Sequence, residues 1–318
     1  MTTVVSLGGP LTDAAAAILE NAGVHVASTE SYPPKAQALR LLEQEKPEGV
    51  VIRLVEKMDE DLMRACGQLK VIAKHGAGCD DIDLAVAKRL GIRVLAAVGC
   101  NAHSVAEHAL ALMLALAKDL RRQDARVRHG EWDKMSYRGF EVHGRRLGLV
   151  GFGQIAQILA QLAGAMGITV SAFDPFMPED AFGSVARMTE LDALLRSSDF
   201  VSLHTPLTPQ TRGLIGRREL ELMGSRSYLI NTARGEVVDE AALVEALTSG
   251  TIAGAGLDTF ATEPPGDANP LWALENVIVS PHCGGVTGEA RGRVSTVTVR
   301  NVLAVIRDQA VEKRYFVC

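Results

Sequence analysis

Three groups of residues in this 318-residue chain have types and spacings that could do chemistry. The first is Gly151-Phe-Gly153-Gln154-Ile155-Ala156, placed directly after an apolar stretch over 147–150. A strand that feeds a glycine turn and then a helix gathers free backbone N–H groups and the positive end of a helix at one point, which suits a pyrophosphate. Gly151 permits the tight turn, Gly153 lets phosphate approach the backbone, and Ala156 fills the close-packing third place. Asp174 closes the next apolar stretch 23 residues after Gly151, where a carboxylate accepts hydrogen bonds from a ribose. It is followed by Pro175, Phe176, Met177 and Pro178, so a 2′-phosphate would meet only negative charge. The pattern therefore points to NAD rather than NADP.

The second group is Arg234 and His282, each just beyond an apolar stretch that reads as a strand. An open α/β sheet presents its ligands at such strand ends. A guanidinium there can hold a carboxylate through two parallel hydrogen bonds. An imidazole there can take and return a proton near neutral pH. The third group is Arg53 together with Lys74-His75-Gly76-Ala77-Gly78. Backbone N–H groups of a glycine-rich loop can bind a carboxylate, and Arg53, Lys74 and His75 add charge that a second anionic group would use. An ordinary turn and solvated surface charges are the plain alternatives.

Two series of alternating strands and helices must carry these residues. The first predicts strands over 4–7, 49–54, 71–73 and 93–95, with helices over 13–22, 60–66 and 84–90. The second predicts strands over 147–150, 169–173, 200–203, 228–230, 254–257 and 277–279, with a helix over 154–166. Alternation of this kind means a parallel sheet with helices on its faces. The expected fold is α/β, with two doubly wound parallel-sheet domains, one of them a Rossmann dinucleotide-binding domain, and an active site in the cleft between them. The boundaries predicted are 1–98 for a substrate domain, completed by 287–318 through a helix over 288–309, and 99–286 for the NAD-binding domain. Ser104 and Glu107 form a capping box, so a helix is expected to start at Val105 and to end near the basic residues Lys118 to Arg122. His103 and His108 would stand about 140° apart on it, which rules out a shared metal ion.

Composition excludes several classes. The formal net charge is -5, which gives no field for nucleic acid or an anionic membrane. The apolar run 109–117 is half the length of a membrane span, and no cleavable leader is expected. The cysteines at 66, 79, 100, 283 and 318 have no zinc or disulfide spacing. A cytoplasmic protein without a metal is expected.

Several longer segments carry a resemblance. Residues 74–83 (KHGAGCDDID), 104–108 (SVAEH), 204–213 (HTPLTPQTRG), 231–235 (NTARG), 257–264 (LDTFATEP) and 280–285 (SPHCGG) resemble, in order, the signature segments of the D-isomer-specific 2-hydroxyacid dehydrogenases. The resemblance implies an NAD-dependent oxidoreductase that interconverts a small anionic D-2-hydroxy acid and its 2-oxo acid. It implies that Arg234 grips the substrate carboxylate and polarises the 2-oxo group, that His282 is the acid/base, and that Glu263 orients and stabilises its charged form. The implied cofactor-binding residues are Gly151, Gly153, Gln154, Ile155, Asp174, His204, Thr205, Pro206, Thr232, Ala233, Arg234, Asp258, His282 and Gly284, with Asp258 on the nicotinamide carboxamide. The implied substrate residues are Arg53, His75, Gly76, Ala77, Gly78, Arg234 and His282.

Within that family two activities compete. Arg53 resembles in position an arginine of phosphoglycerate dehydrogenases, whereas Lys74-His75 departs from their arginine-containing loop, which leaves glyoxylate/hydroxypyruvate reduction open. Glu263 disfavours formate oxidation, where an amide stands. Effector control by serine through an appended regulatory domain is not expected. An NADH-sensing corepressor is the rival of another class, disfavoured by the lack of a long disordered tail. Residues 101–144, with Trp132, resemble the family's dimer arm, so a homodimer is expected.

Overall fold

The computed structural model describes residues 2–53 and 57–318; Leu54, the last residue of the strand expected over 49–54, lies outside them, as does Met1. Contacts divide the chain into two compact units, Met1–Asn101 with Val286–Cys318, and Ala102–Gly285.

The first unit alternates strictly between strand and helix: β1 (Thr3–Leu7), α1 (Asp13–Glu20), β2 (His25–Ser28), α2 (Lys35–Glu45), β3 (Gly49–Ile52), α3 (Glu60–Ala65), β4 (Val71–Lys74), α4 (Leu84–Arg89) and β5 (Arg93–Ala96). The strands form one parallel sheet in the order β2-β1-β3-β4-β5. β1 and β3 are buried at every position. Their apolar residues need not alternate with polar ones, because helices cover both faces of such a sheet. Val5, Leu42 and Ile72 belong to the core on one face; Leu19, Val299 and Val302 belong to the core on the other.

The second unit comprises α5 (Ala102–Ala117), α6 (Leu120–Arg128), β6 (Arg146–Val150), α7 (Gln154–Ala165), β7 (Thr169–Phe173), β8 (Ala186–Arg187), α8 (Leu191–Ser197), β9 (Phe200–Leu203), α9 (Arg217–Met223), β10 (Tyr228–Asn231), α10 (Glu240–Ser249), β11 (Gly254–Leu257) and β12 (Val277–Val279). Its seven parallel strands run β12-β11-β10-β9-β6-β7-β8. The direction of winding reverses between β6 and β9, and a doubly wound sheet opens its ligand crevice at that reversal. The glycine turn that follows β6 stands at this point. The chain then continues into α11 (Gly288–Ile306), which packs on α1, β3 and β4 of the first unit. Gly49 is required there, since a Cβ would come within 2.7 Å of Val302 Cγ1.

The capping box at Ser104 is corrected by the structure. α5 begins at Ala102, so Ser104 is a buried residue of the helix body and Glu107 lies exposed beyond it. The helix ends at Ala117, next to Lys118 as expected; Asp119 then turns left-handed at φ 48°, and α6 follows. Buried Ala106, Ala109, Leu112 and Met113 dock α5 on the second unit, and that packing fixes its start more strongly than one cap does. Among the described residues no helix is long and apolar enough to cross a membrane.

Candidate active site

At the end of β6, Gly151 adopts φ +87° and donates its N–H to Phe173 O at 2.8 Å. A Cβ there would stand 2.9 Å from the carbonyl of His204, so both conformation and space demand glycine. Gly153 is extended and caps α7, and nothing lies within 4 Å of where its Cβ would be. Gln154 and Ile155 open the helix behind it. Asp174 accepts hydrogen bonds from Phe152 N and Phe176 N, both 2.9 Å, and from Met177 N at 3.3 Å. It thereby ties the turn to the end of β7. An ionised carboxylate has about four acceptor positions, so a ribose hydroxyl can still be accommodated.

Two further observations fit a dinucleotide. Thr205 Oγ1 and Thr232 Oγ1 are buried and have no hydrogen-bond partner among the described residues. Such groups cost about 1–3 kcal/mol each when left so, which suits a ligand that brings polar atoms of its own. Pro206 lies exposed beside Thr205.

His204 bonds to Ser202 Oγ at 2.9 Å, and burial pushes its imidazole down to about 4 from an ordinary 6.5. The unfolded chain therefore takes up this proton first. The stability His204 contributes is complete above about 6.5 and is lost as pH falls toward about 4. His204→Gln is expected to flatten the fall of melting temperature over that range, with His75 in the first unit leaving a residual slope of the same sign. Equal slopes in mutant and parent would show that His204 does not titrate there.

The strand ends β10, β11 and β12 are neighbours in the sheet and carry Arg234, Glu263 and His282 in the loops that follow them. Asn231 builds the turn that presents Arg234: its Oδ1 accepts Ala233 N–H at 3.0 Å and its Nδ2 donates to Arg234 O at 2.9 Å. Gly235 lies so close to the next loop that a Cβ would fall 1.8 Å from Phe260 C. Gly235→Ala must push the Phe260 backbone aside, with an expected cost of about 1–3 kcal/mol and a loss of turnover, because Phe260 N–H also holds Glu263. Chemical denaturation with parallel rate measurements checks this; unchanged stability would refute it.

Glu263 Oε1 accepts Phe260 N–H at 3.0 Å, and Oε2 lies 2.7 Å from His282 Nδ1. Burial opposes its ionisation, but the hydrogen bonds from His282 and Phe260 and the charges of His282 and Arg234 more than offset this and hold its carboxyl below the usual range. The same carboxylate thus feels both candidate catalytic cations. His282 is 45% exposed, and its Nε2 has no hydrogen-bond partner among the described residues. Asp258, expected beside the nicotinamide, is 2% exposed and bonded into the turn that carries His282.

In the first unit, Gly76 adopts φ +153° at the end of β4, and Ala77 is exposed beside Gly78. His75 Nε2 lies 2.8 Å from Ser295 Oγ. Burial first, then the charges of Arg53, Lys74 and Arg291, push its imidazole down to about 4, so it meets any ligand uncharged. The charge of Lys74 is committed to Asp81, both largely buried, which corrects the idea that it meets a substrate anion. Arg53 donates to Pro10 O and feels the like charge of Arg291, on α11. Asn231, Ser280, His108 and Arg291 were not given roles from sequence. The first three lie inside segments quoted for the resemblance, whereas nothing local marks Arg291.

A seven-stranded Rossmann sheet with a glycine turn at its reversal and an acidic residue after the second strand defines a dinucleotide-binding protein, with an Arg-Glu-His set on three adjacent strand ends as its candidate active site. The chain belongs to the D-isomer specific 2-hydroxyacid dehydrogenase family: residues 110–284 match the model of that family's NAD binding domain. It is 38% identical over 307 residues to D-3-phosphoglycerate dehydrogenase of Methanocaldococcus jannaschii, covering 95% of this chain but only 57% of that relative. It is 42% identical to hydroxypyruvate reductase of Thermotoga maritima, over 80% of this chain and 83% of the relative. The crystal structure of D-lactate dehydrogenase from Aquifex aeolicus, complexed with NAD and lactic acid, superposes with a TM-score of 0.86 at 31% identity, covering 99% of this chain and 98% of that one.

Proposed function

We propose that this protein interconverts a small anionic D-2-hydroxy acid and its 2-oxo acid. The observation that carries this reading is the Arg234, Glu263 and His282 corner, assembled on β10, β11 and β12 of an NAD-binding sheet. The cofactor, when bound, would supply the hydride to carbon 2 of the 2-oxo acid as NADH and would accept it from the 2-hydroxy acid as NAD in the reverse direction. The turn from Gly151 to Ile155, with Asp174, Thr205 and Thr232, would hold it.

Arg234 holds the substrate carboxylate with its planar fork and polarises the 2-oxo group. His282 Nε2 gives a proton to the oxygen of carbon 2 during reduction and removes it during oxidation. Glu263 fixes the orientation of the ring through Nδ1. The N–H groups of the loop from Gly76 to Gly78 can bind a carboxylate, and we assign the first unit as the substrate domain.

Substrate choice falls to Arg53 and Arg291. Among the described residues neither forms an ion pair, so a second anionic group on the substrate would meet available positive charge, whereas that of Lys74 is already committed. A panel of 2-oxo acids with NADH, from glyoxylate and hydroxypyruvate to the phosphorylated analogue, tests the reading through nicotinamide absorbance. Turnover of any member supports it. NADH binding with silence across the panel would replace it with an NADH-sensing binding protein.

The arm from 101 to 144 leaves Trp132 87% and Met135 78% exposed, together with Leu120 and Val127 on α6. An apolar set of this kind on a solvated segment suits burial against a second copy. We therefore include a homodimer, which a monomer in sedimentation equilibrium would dispose of, and a cytoplasmic location, consistent with cysteines that form no disulfide among the described residues.

A further inference from the structure

The segment from Ser280 to Gly284 folds around one buried carboxylate. Asp258 Oδ1 accepts Ser280 O–H at 2.5 Å and Cys283 N–H at 2.9 Å, while Oδ2 accepts Gly284 N–H at 2.8 Å. Two successive N–H groups converging on one point form an anion nest, and here the protein fills the nest with its own side chain. The residue just before them is His282, held at φ +50° with its N–H on Ser280 O at 3.1 Å. A residue with a Cβ takes that conformation only where its surroundings impose it.

One more group reaches this knot, and it comes from a distant helix. His108, on α5, places Nε2 2.8 Å from Ser280 Oγ and 3.5 Å from Asp258 Oδ1. The hydroxyl hydrogen of Ser280 is spent on Asp258, so Ser280 Oγ accepts from His108 and Nε2 carries a hydrogen. A Cβ on Gly284 would stand 3.0 Å from Asp258 Oδ2 and 3.1 Å from His108 Cδ2, so the imidazole lies against the closure of the turn. His108, Asp258 and Cys283 also lie within the 4.8 Å spacing that a metal ion could use, but hydrogens point at both oxygens of Asp258, and a cation would have to displace them.

We propose that His108 and Ser280 are positioning residues, which act through Asp258 to hold the His282 turn against Glu263. This rests on the reading of His282 as the proton donor and acceptor. The principal work of Asp258 is then on the turn, and the family-based expectation of a carboxamide contact is secondary to it.

The test compares His108→Leu, His108→Gln and Ser280→Ala with the parent protein. His108→Leu and Ser280→Ala are expected to lower kcat for the 2-oxo acid by about 10²-fold, the penalty for a displacement near 1 Å, with the NADH dissociation constant nearly unchanged. Glutamine can present an N–H where the imidazole does, so His108→Gln is expected to recover most of the loss. Independently of turnover, amide exchange at Cys283 and Gly284 is expected to accelerate about tenfold or more in His108→Leu and to stay protected in His108→Gln. Unchanged exchange in His108→Leu, loss confined to NADH affinity, or glutamine no better than leucine would each overturn the proposal. If His282→Asn keeps full turnover, the acid/base reading fails instead, and exchange still decides what His108 does.

Discussion

Replacing Arg234 by glutamine is expected to lower kcat/KM for the 2-oxo acid by about 10³-fold or more while NADH binds almost as before. Removing one preorganised donor from a developing oxyanion costs about 10²–10³-fold, and loss of the paired hydrogen bonds to the carboxylate adds to that. Arg234→Lys keeps the charge but not the fork, so it should recover only part of the loss. The side chain stands where this asymmetry can be read cleanly. Asn231 shapes its turn from within, and Gly235 fixes the backbone against Phe260, so glutamine at 234 leaves the scaffold intact. Equal losses in turnover and in NADH affinity, measured by fluorescence titration, would remove Arg234 from the reacting carbon.

Replacing His282 by asparagine should cost about 10²–10⁴-fold in both directions and erase the pH dependence of turnover. Reduction requires the protonated imidazole and oxidation the neutral one, so the parent enzyme should lose reduction as pH rises and gain oxidation. The carboxyl of Glu263 is held below the usual range by the hydrogen bonds from His282 and Phe260, which outweigh burial, so it is ionised throughout the working range and fixes the ring through Nδ1. Glu263→Gln is expected to lower turnover by about 10²-fold while NADH binds almost as before. Unchanged turnover would mean that the carboxylate only anchors the loop, and an unaltered pH profile in His282→Asn would exclude the histidine as the proton carrier.

The fold and the dinucleotide turn were legible because their signals are local. Covered parallel strands need mostly apolar runs, and β1, β3, β6, β9 and β10 have them, with buried Ser6 and Ser202 as interruptions in β1 and β9. The strand β2 was missed because its four residues are only partly buried at the sheet edge, and α6 because it buries no residue at all. The helices α2, α8, α9 and α10 lay in stretches from which no periodicity was drawn. The start of α5 was misplaced for a different reason: Ser104 and Glu107 have the spacing of a cap, but burial of the whole helix on the second unit decided where it begins.

Residue identity and order alone determined the glycine turn, the preference for NAD, and the arginine and histidine proposed to act, because steric tolerance and side-chain chemistry travel with the residue. Tertiary structure decided how those residues are used. It turned Asp258 inward beneath His282, tied Lys74 to Asp81, left His75 uncharged, and set Arg291 against Arg53. Those partners are brought together by parallel strand register and helix docking across long separations in the chain, and a hydrogen bond or charge contact of that kind leaves no spacing in the sequence to read.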